Sequence, residues 1–353
     1  WLDAPIGYIS ATKQWALDHG KDWRNYWTKA EAGDRKLVHF IGKDNIVFHA
    51  IIFPILLKDH GDFILPDNVP AYEFLNLEGD KFSTSRNWAV WAHEYAEQFP
   101  DMTDIMRYVL TATMPETKDN NFTWEEFVAR NNNELVADFG NLVNRVVVFS
   151  YKYFEGKVPA RGELTESDRE LLEKIRGYVK NLGTAIEGYR FKEALAEMMR
   201  IAYAGNKFLA ETEPWHLIKT DEARVATIVN LCAHICAVLA VASEPFMPAT
   251  AARLRTMLGM ETAPLWSDLQ KDELIAPGTQ IQKIGLLFTK LDDVFADYRN
   301  AELDEKAAAN QPVEPPKSVP ASAPETSFDE FQKMDIRTCT ILSAEQVKGT
   351  DKL

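Results

Sequence analysis

The feature that most constrains this chain is a change of hydrophobic period near Pro115. Before it, apolar residues come in short strand-like runs separated by turn residues. After it, they recur at three- and four-residue spacing over long stretches. The first pattern suits an α/β sheet whose strands end in loops that feed helices; the second suits an antiparallel helix bundle. Two folded regions are therefore expected, 1–113 and 114–300.

Within the first region, Leu37-Val38-His39-Phe40-Ile41 reads as a strand, Gly42-Lys43-Asp44 as the loop after it, and 46–58 as an apolar helix. Residues 71–77 form a second strand candidate, and Glu78-Gly79-Asp80 a tight turn in which Gly supplies a positive φ. In the second region, helices are expected over 124–154, 165–181, 185–211, 220–242 and 248–258. Residues 301–327 are rich in Ala, Pro, Glu and Ser and read as a disordered, semi-stiff linker. Residues 328–353 regain strand-like alternation at Ile336-Arg337-Thr338-Cys339-Thr340-Ile341-Leu342 and stop too soon to close a domain.

Composition enters where it excludes things. With 39 basic against 53 acidic side chains, the formal charge is −14, which argues against nonspecific nucleic-acid binding. Any RNA function must come from a local surface and from contacts to bases. Three cysteines cannot form a disulfide framework, so a reducing cytoplasm is the expected compartment. Cys232-Ala233-His234-Ile235-Cys236 places two thiols four residues apart, but on an apolar helical pattern and without a second ligand pair. Buried thiols are expected there, and no metal. No uninterrupted apolar run reaches the roughly 20 residues of a membrane span, and no membrane partner is expected. The chain opens on Trp with turn residues inside its first eight positions, which reads as a start in mid-domain.

Three segments of the first region carry chemistry. Trp1-Leu2-Asp3-Ala4-Pro5-Ile6-Gly7-Tyr8 gathers aromatics around Pro. In His39-Phe40-Ile41-Gly42-Lys43-Asp44-Asn45-Ile46-Val47-Phe48-His49 a strand runs through Gly into a helix start, where a phosphate or ribose can bind. Lys81-Phe82-Ser83-Thr84-Ser85-Arg86 offers two cations and three hydroxyls directly after the turn, as a mobile phosphate clamp would. Singly, each has a commonplace explanation: packing, an Asp N-cap, an ordinary loop.

In this order, the segments resemble the methionyl-tRNA synthetase family of class I aminoacyl-tRNA synthetases. Trp1–Tyr8 is similar to the family's W-L-D-A-P-I-G-Y segment, the second segment to its H-F-I-G-K-D-x-x-x-F-H block, and Lys81–Ser85 to its K-M-S-K-S loop. The resemblance covers residues 1 to about 300. It implies the second half of a Rossmann-type catalytic domain, then an anticodon-binding helix bundle. It implies a methionine–tRNA ligase that activates methionine with Mg-ATP and passes it to tRNA-Met.

The methionine pocket would comprise Trp1, Ala4, Pro5, Tyr8, Phe48 and His49, with aromatic rings suited to a thioether. Gly42, Lys43 and Asp44 would line the adenylate and amino-acid end. Lys81, Phe82, Ser83, Thr84 and Ser85 would form the ATP loop. Thr84 stands where the family has its second lysine; a hydroxyl supplies no positive charge, and Arg86 is expected to compensate, which makes Lys81 and Arg86 the catalytic candidates. The family's H-I-G-H signature and its zinc-binding insertion belong upstream of Trp1, so this piece is expected to lack activity alone and to hold no zinc.

Asn141 and Arg145 lie four apart on one helix face, and Trp215 follows Glu213-Pro214. On spacing alone they read as solvated helix residues and a core indole. The family's N-K-x-x-x-x-x-x-P-W pattern, matched by Asn206-Lys207 through Pro214-Trp215, implies that Asn141, Arg145 and Trp215 read a CAU anticodon, with Trp stacking on a base. Residues 328–353 resemble the opening of the OB-fold tRNA-binding domain through which such enzymes form homodimers. The rival reading is a noncatalytic tRNA- or RNA-binding protein on a synthetase scaffold, favoured by Thr84 and opposed by the methionine pocket.

Overall fold

The computed structural model describes residues 4–292 and 294–309. Trp1, Cys339, most of the expected linker and the whole OB-like segment lie outside the described residues. Helix α1 (Ile6–Asp18) starts directly after Pro5, whose φ of −66° is already helical. It buries only Ile9 and Ala16. Helix α2 (Arg24–Trp27) turns Trp27 inward, and the Trp27 indole N–H donates to Thr12 Oγ1 at 2.9 Å.

Strands β1 (Leu37–Val38) and β2 (Ile41–Gly42) pair in parallel with β3 (Pro66–Asn68) and β4 (Ala71–Tyr72) respectively. The His39 and Ile41 amides, each donating at 3.1 Å to Asn68 and Pro70 carbonyls, make the two pairs pieces of one ladder. The expected strand 37–41 is broken by a register shift at Leu37/Val38. Pro66 and Pro70 lack the N–H groups that a continuous partner would donate. Past Gly42 the chain passes through a 3₁₀ turn (Lys43–Asn45) and a π-helical stretch (Val47–Ile52) into α3 (Phe53–His60). Pro54 has no N–H to close an α-turn, which favours the wider spacing ahead of it.

The expected strand 71–77 divides: β4 ends at Tyr72, and β5 (Leu75–Leu77) pairs antiparallel with β6 (Asp80–Lys81) and parallel with β7 (Asn120–Phe122). The turn between β5 and β6 is as expected, with Gly79 at φ 88°. Glu78 also adopts positive φ, at 50°. Its strain is offset because its carboxylate accepts from the Trp124 amide at 2.7 Å and its own amide donates to Phe122 O at 2.9 Å. β7 lies beyond residue 113, so the strands extend past the expected boundary.

Helices α4 (Ala92–Gln98) and α5 (Thr103–Ala112) lead into the bundle. Thr123 caps α6 (Trp124–Arg130), accepting from Glu126 N at 3.1 Å. The helix then runs through a π-helical stretch (Asn131–Gly140) into α7 (Asn141–Tyr153), matching the expected 124–154. Helix α8 (Glu166–Glu187) opens on a Thr165/Asp168 capping box. It ends at Gly188, where Tyr189 has φ 60°, before α9 (Phe191–Thr212). The expected break at 181–185 was therefore early: Gly183 stays helical, with the Trp266 indole where a Cβ would come within 3.4 Å of it.

Glu213, at φ 41°, turns the chain into α10 (Pro214–Leu217). Helix α11 (Glu222–Ala242) is long and apolar enough by composition to cross a membrane, which amends the expectation that no segment would be. It is almost wholly buried among its neighbours. After α12 (Pro248–Met257), helix α13 (Val294–Ala309) occupies the start of the expected linker. The linker reading failed over 301–309 because Ala, Glu and Lys are strong helix formers and the prolines begin only at Pro312. Arg299, just ahead of that stretch, is buried over the Trp124 ring at 4.6 Å from its centroid and donates to Gln98 Oε1 at 2.8 Å.

Two cores result. Ile9, Trp27, Phe53 and Leu57 form a small one in the first region. A large one runs from Leu77 through the bundle to Leu303.

Candidate functional site

The aromatic pocket is built by α1 and the π-helical stretch. Tyr8 Oη lies 2.9 Å from His49 Nε2, while His49 Nδ1 lies 3.0 Å from the Asn45 carbonyl. A carbonyl only accepts, so Nδ1 carries the proton; in the neutral ring, Nε2 then accepts from the Tyr8 hydroxyl. His39 and Phe53 complete the cluster: the Tyr8 ring is 5.6 Å from His39 and 6.5 Å from Phe53, centroid to centroid. His39 is 8% exposed, and its Nε2 is buried without a hydrogen-bond partner among the described residues. Burial, reinforced by His49, holds its pKa below the usual histidine value.

Of the expected pocket residues, Tyr8 and His49 are thus brought together. Phe48 is half-buried on the adjacent helical position, Pro5 is buried and Ala4 exposed at the head of α1, and Trp1 lies outside the described residues. Sequence reasoning missed His39 and Phe53. The signal for His39 was its place at the head of the same block.

Gly42, Lys43 and Asp44 follow β2. A Cβ at Gly42 would sit 2.8 Å from Asp44 Oδ1, the end of an exposed side chain that can turn aside. Asp44 is exposed and accepts from Asn45 Nδ2 at 3.2 Å. Lys43 has a role that spacing could not reveal: its ammonium donates to Glu73 Oε2 at 2.5 Å and to Asp119 Oδ1 at 2.7 Å, and sits 4.4 Å from the centroid of Phe74. Bonds to Asp119 and Glu73 raise its pKa. This clasp ties the end of β2 to the strands on either side of the signature loop.

That loop is an ordered hairpin rather than an open arm. Ser83 and Trp88 exchange backbone bonds at 3.0 and 2.9 Å, and Asn87 closes the turn at φ 55°. The Trp88 indole N–H donates to the Leu77 carbonyl at 3.1 Å and braces its base. Ser83 Oγ faces Ser85 Oγ at 3.2 Å, while Lys81, Phe82, Thr84 and Arg86 are exposed. The Arg86 guanidinium reaches back to the Lys81 backbone carbonyl at 3.5 Å. Lys81 Nζ lies 5.9 Å from the Phe74 ring that also holds Lys43.

The second candidate surface lies on the bundle. Asn141 and Arg145 occupy one face of α7. The Arg145 guanidinium is 6.0 Å from the centroid of Trp215, which stands on the short helix α10 and is 37% exposed. Asn141 Nδ2 donates to Asn206 Oδ1 on α9 at 3.4 Å. Gly205 permits this approach of α9 to α7, since a Cβ there would meet Leu142 Cδ2 at 2.7 Å. All three residues singled out from sequence therefore share one surface. The indole expected in the core on spacing alone is instead partly exposed.

The Cys232 and Cys236 thiols are fully buried on α11, and burial pushes both up. His234 between them is held down to about 4 by burial, with Arg161 and Arg176 adding to it. Among the described residues, no group of three or more His, Cys, Asp or Glu side chains is placed to hold a metal ion.

Residues 1–147 match the family model of class I tRNA synthetases (M), and residues 158–307 match that of the anticodon binding domain of methionyl tRNA ligase. The full chain aligns at 52% identity with the methionine–tRNA ligase of Christiangramia forsetii over 363 residues. The chain belongs to the methionyl-tRNA synthetase family. The methionine–tRNA ligase of Porphyromonas gingivalis is likewise 52% identical over 356 residues. Each alignment takes in 100% of this chain and 51% of the relative, so the chain spans about half the length of the curated relatives it matches. Methionyl-tRNA synthetase of Mycobacterium tuberculosis has a similar fold. Its free form gives a TM-score of 0.66 at 26% identity, covering 74% of this chain and 51% of that one. Its complex with methionyl-adenylate gives 0.67, with the same identity and coverage.

Proposed function

We propose that this chain supplies the anticodon-reading bundle and part of the activation site of a cytoplasmic methionine–tRNA ligase, with methionine, ATP and tRNA-Met as substrates. The observation that carries the reading is the exposed Trp215 indole beside Arg145, with Asn141 one turn along α7. An indole stacks on an unpaired base, and the Asn and Arg side chains supply directional contacts to base edges. Such a surface selects bases without a strongly basic chain, which suits the net charge of −14.

On the activation side, the Tyr8–His49 pair lines an aromatic pocket for the methionine thioether. Lys81 and Arg86 face the ATP phosphates from the hairpin, with Arg86 supplying the charge that Thr84 lacks. The family relation and the methionyl-adenylate bound to the M. tuberculosis relative support both assignments. The competing reading, an RNA-binding scaffold without catalysis, rests on Thr84.

The test is titration of the chain with a CAU anticodon stem-loop, a scrambled loop and a Trp215→Ala variant. CAU-selective binding that falls about tenfold or more in the variant, the loss of one stacking contact, is the expected result. Equal binding of both loops contradicts the reading.

A further inference from the structure

The amide of Asn141 has two ways up, and a base edge reads them oppositely: one presents an acceptor, the other a donor. The orientation is decided by chemistry on α9. The Asn206 amide lies 2.6 Å from the Asp138 carbonyl, which can only accept, so the Asn206 atom facing it is the NH₂ group. Its Oδ1 then points to Asn141 and accepts from Asn141 Nδ2 at 3.4 Å. Asn141 Oδ1 is left turned away from Asn206, with no hydrogen bond to any described residue.

We propose that Asn206 is a positioning residue. Through the relay from Asp138 O to Asn206 to Asn141 it holds Asn141 with its acceptor outward, which favours a base carrying an exocyclic amino group over one carrying a carbonyl at that position. This inference rests on the anticodon reading above and adds a specificity determinant to it. In a CAU loop the amino-bearing base is the cytosine, whose N4–H₂ donates to Asn141 Oδ1; in a UAU loop the uracil O4 meets that oxygen as a second acceptor. The packing around the relay is closed, since α9 approaches α7 at Gly205 too tightly to admit a Cβ beside Leu142. Asn206 itself is half-buried.

The experiment titrates the full chain with CAU and UAU stem-loops and reads the ratio of the two affinities. Asn206→Leu removes the relay and frees Asn141 to turn its NH₂ outward; the CAU-over-UAU ratio is expected to fall about tenfold, the effect of one misdirected hydrogen bond. Asn141→Asp presents an acceptor in either orientation, so in that background Asn206→Leu is expected to leave the ratio unchanged. Circular dichroism confirms that each variant is folded. If Asn206 is merely structural, Asn206→Leu weakens both loops alike and the ratio stays at its original value, which overturns the proposal while leaving the anticodon reading intact. Equal binding of CAU and UAU by the unaltered chain overturns the anticodon reading and this inference with it.

Discussion

Residues 4–72 and the helices that follow hold together by different means. The first region gathers Ile9, Trp27, Phe53 and Leu57 into its core and leaves much apolar surface outside. Val47, Ile51 and Ile55, four residues apart on one helix, are 52%, 53% and 59% exposed, a stripe with nothing packed on it among the described residues. In the bundle, α11 is enclosed along nearly its whole length and even its polar side chains are satisfied; Asn230, for example, donates to Pro159 O at 2.8 Å. Helices close a core with their sequence neighbours, whereas a parallel sheet needs layers on both faces. The proposed methionine-pocket residues Tyr8 and His49 thus sit beside the smaller core, whereas the Lys81–Arg86 hairpin and the proposed anticodon residues are carried by elements of the larger one.

The largest effect that sharpens this contrast is expected from Phe53→Ala. Emptying a fully buried Phe site costs about 3–5 kcal/mol, more than so small a core can lose. Hydrogen exchange should then report open amides across residues 4–72 with α7 to α11 still protected. Simultaneous opening of both regions would remove the distinction.

Arg224→Ala is the matching lesion in the bundle. Arg224 bonds both oxygens of the fully buried Asp168, at 2.5 and 2.7 Å. Burial alone raises the Asp168 pKa, but the bonds from Arg224 and Thr165 outweigh it and the net shift is downward. Removing the guanidinium strands a buried carboxylate, at a cost of about 3–5 kcal/mol. The denaturation midpoint of the bundle is expected to fall, without faster exchange in the first region.

Acid should separate the regions somewhat more gently. His39 and His234 both titrate below the ordinary histidine value of 6.5, His234 at about 4. As pH falls from 6.5 toward 4, the unfolded chain takes up protons that the folded chain refuses, so stability is lost across that window. For His234 the loss amounts to roughly 3 kcal/mol. The bundle has the reserve to absorb it; the first region, losing stability in the same direction through His39, is expected to melt at higher pH. Intrinsic tryptophan fluorescence and hydrogen exchange followed against pH would check the order.

The smallest effect is expected at the exposed Arg24–Asp22 pair, 3.6 Å apart. Asp22→Asn should shift stability by less than about 0.5 kcal/mol. A larger loss in a thermal melt would mean that surface charge, and not core size, limits the first region.

Legibility in the sequence followed the range of the forces involved. The Glu78-Gly79 turn and the continuous helix over 124–153 are local matters of φ and period, and both were readable. Asn141, Arg145 and Trp215 were drawn together by family resemblance, and the geometry places them on one surface. The clasp of Lys43 with Glu73 and Asp119 was not readable, because those partners lie 30 and 76 residues away and leave no trace in local spacing. The last part of α13, 301–309, fell inside the expected linker because composition was averaged across a boundary that the helix crosses in space. The Asn206 relay was invisible for the same reason: its first link is a backbone carbonyl on another helix.

The most direct test of the division of labour is the affinity of the Phe53→Ala chain for the CAU stem-loop. If the bundle reads the anticodon on its own stability, affinity and CAU selectivity should match those of the unaltered chain even with residues 4–72 open. Loss of selectivity in a chain whose bundle amides remain protected would contradict that account and make the first region part of the RNA-reading surface.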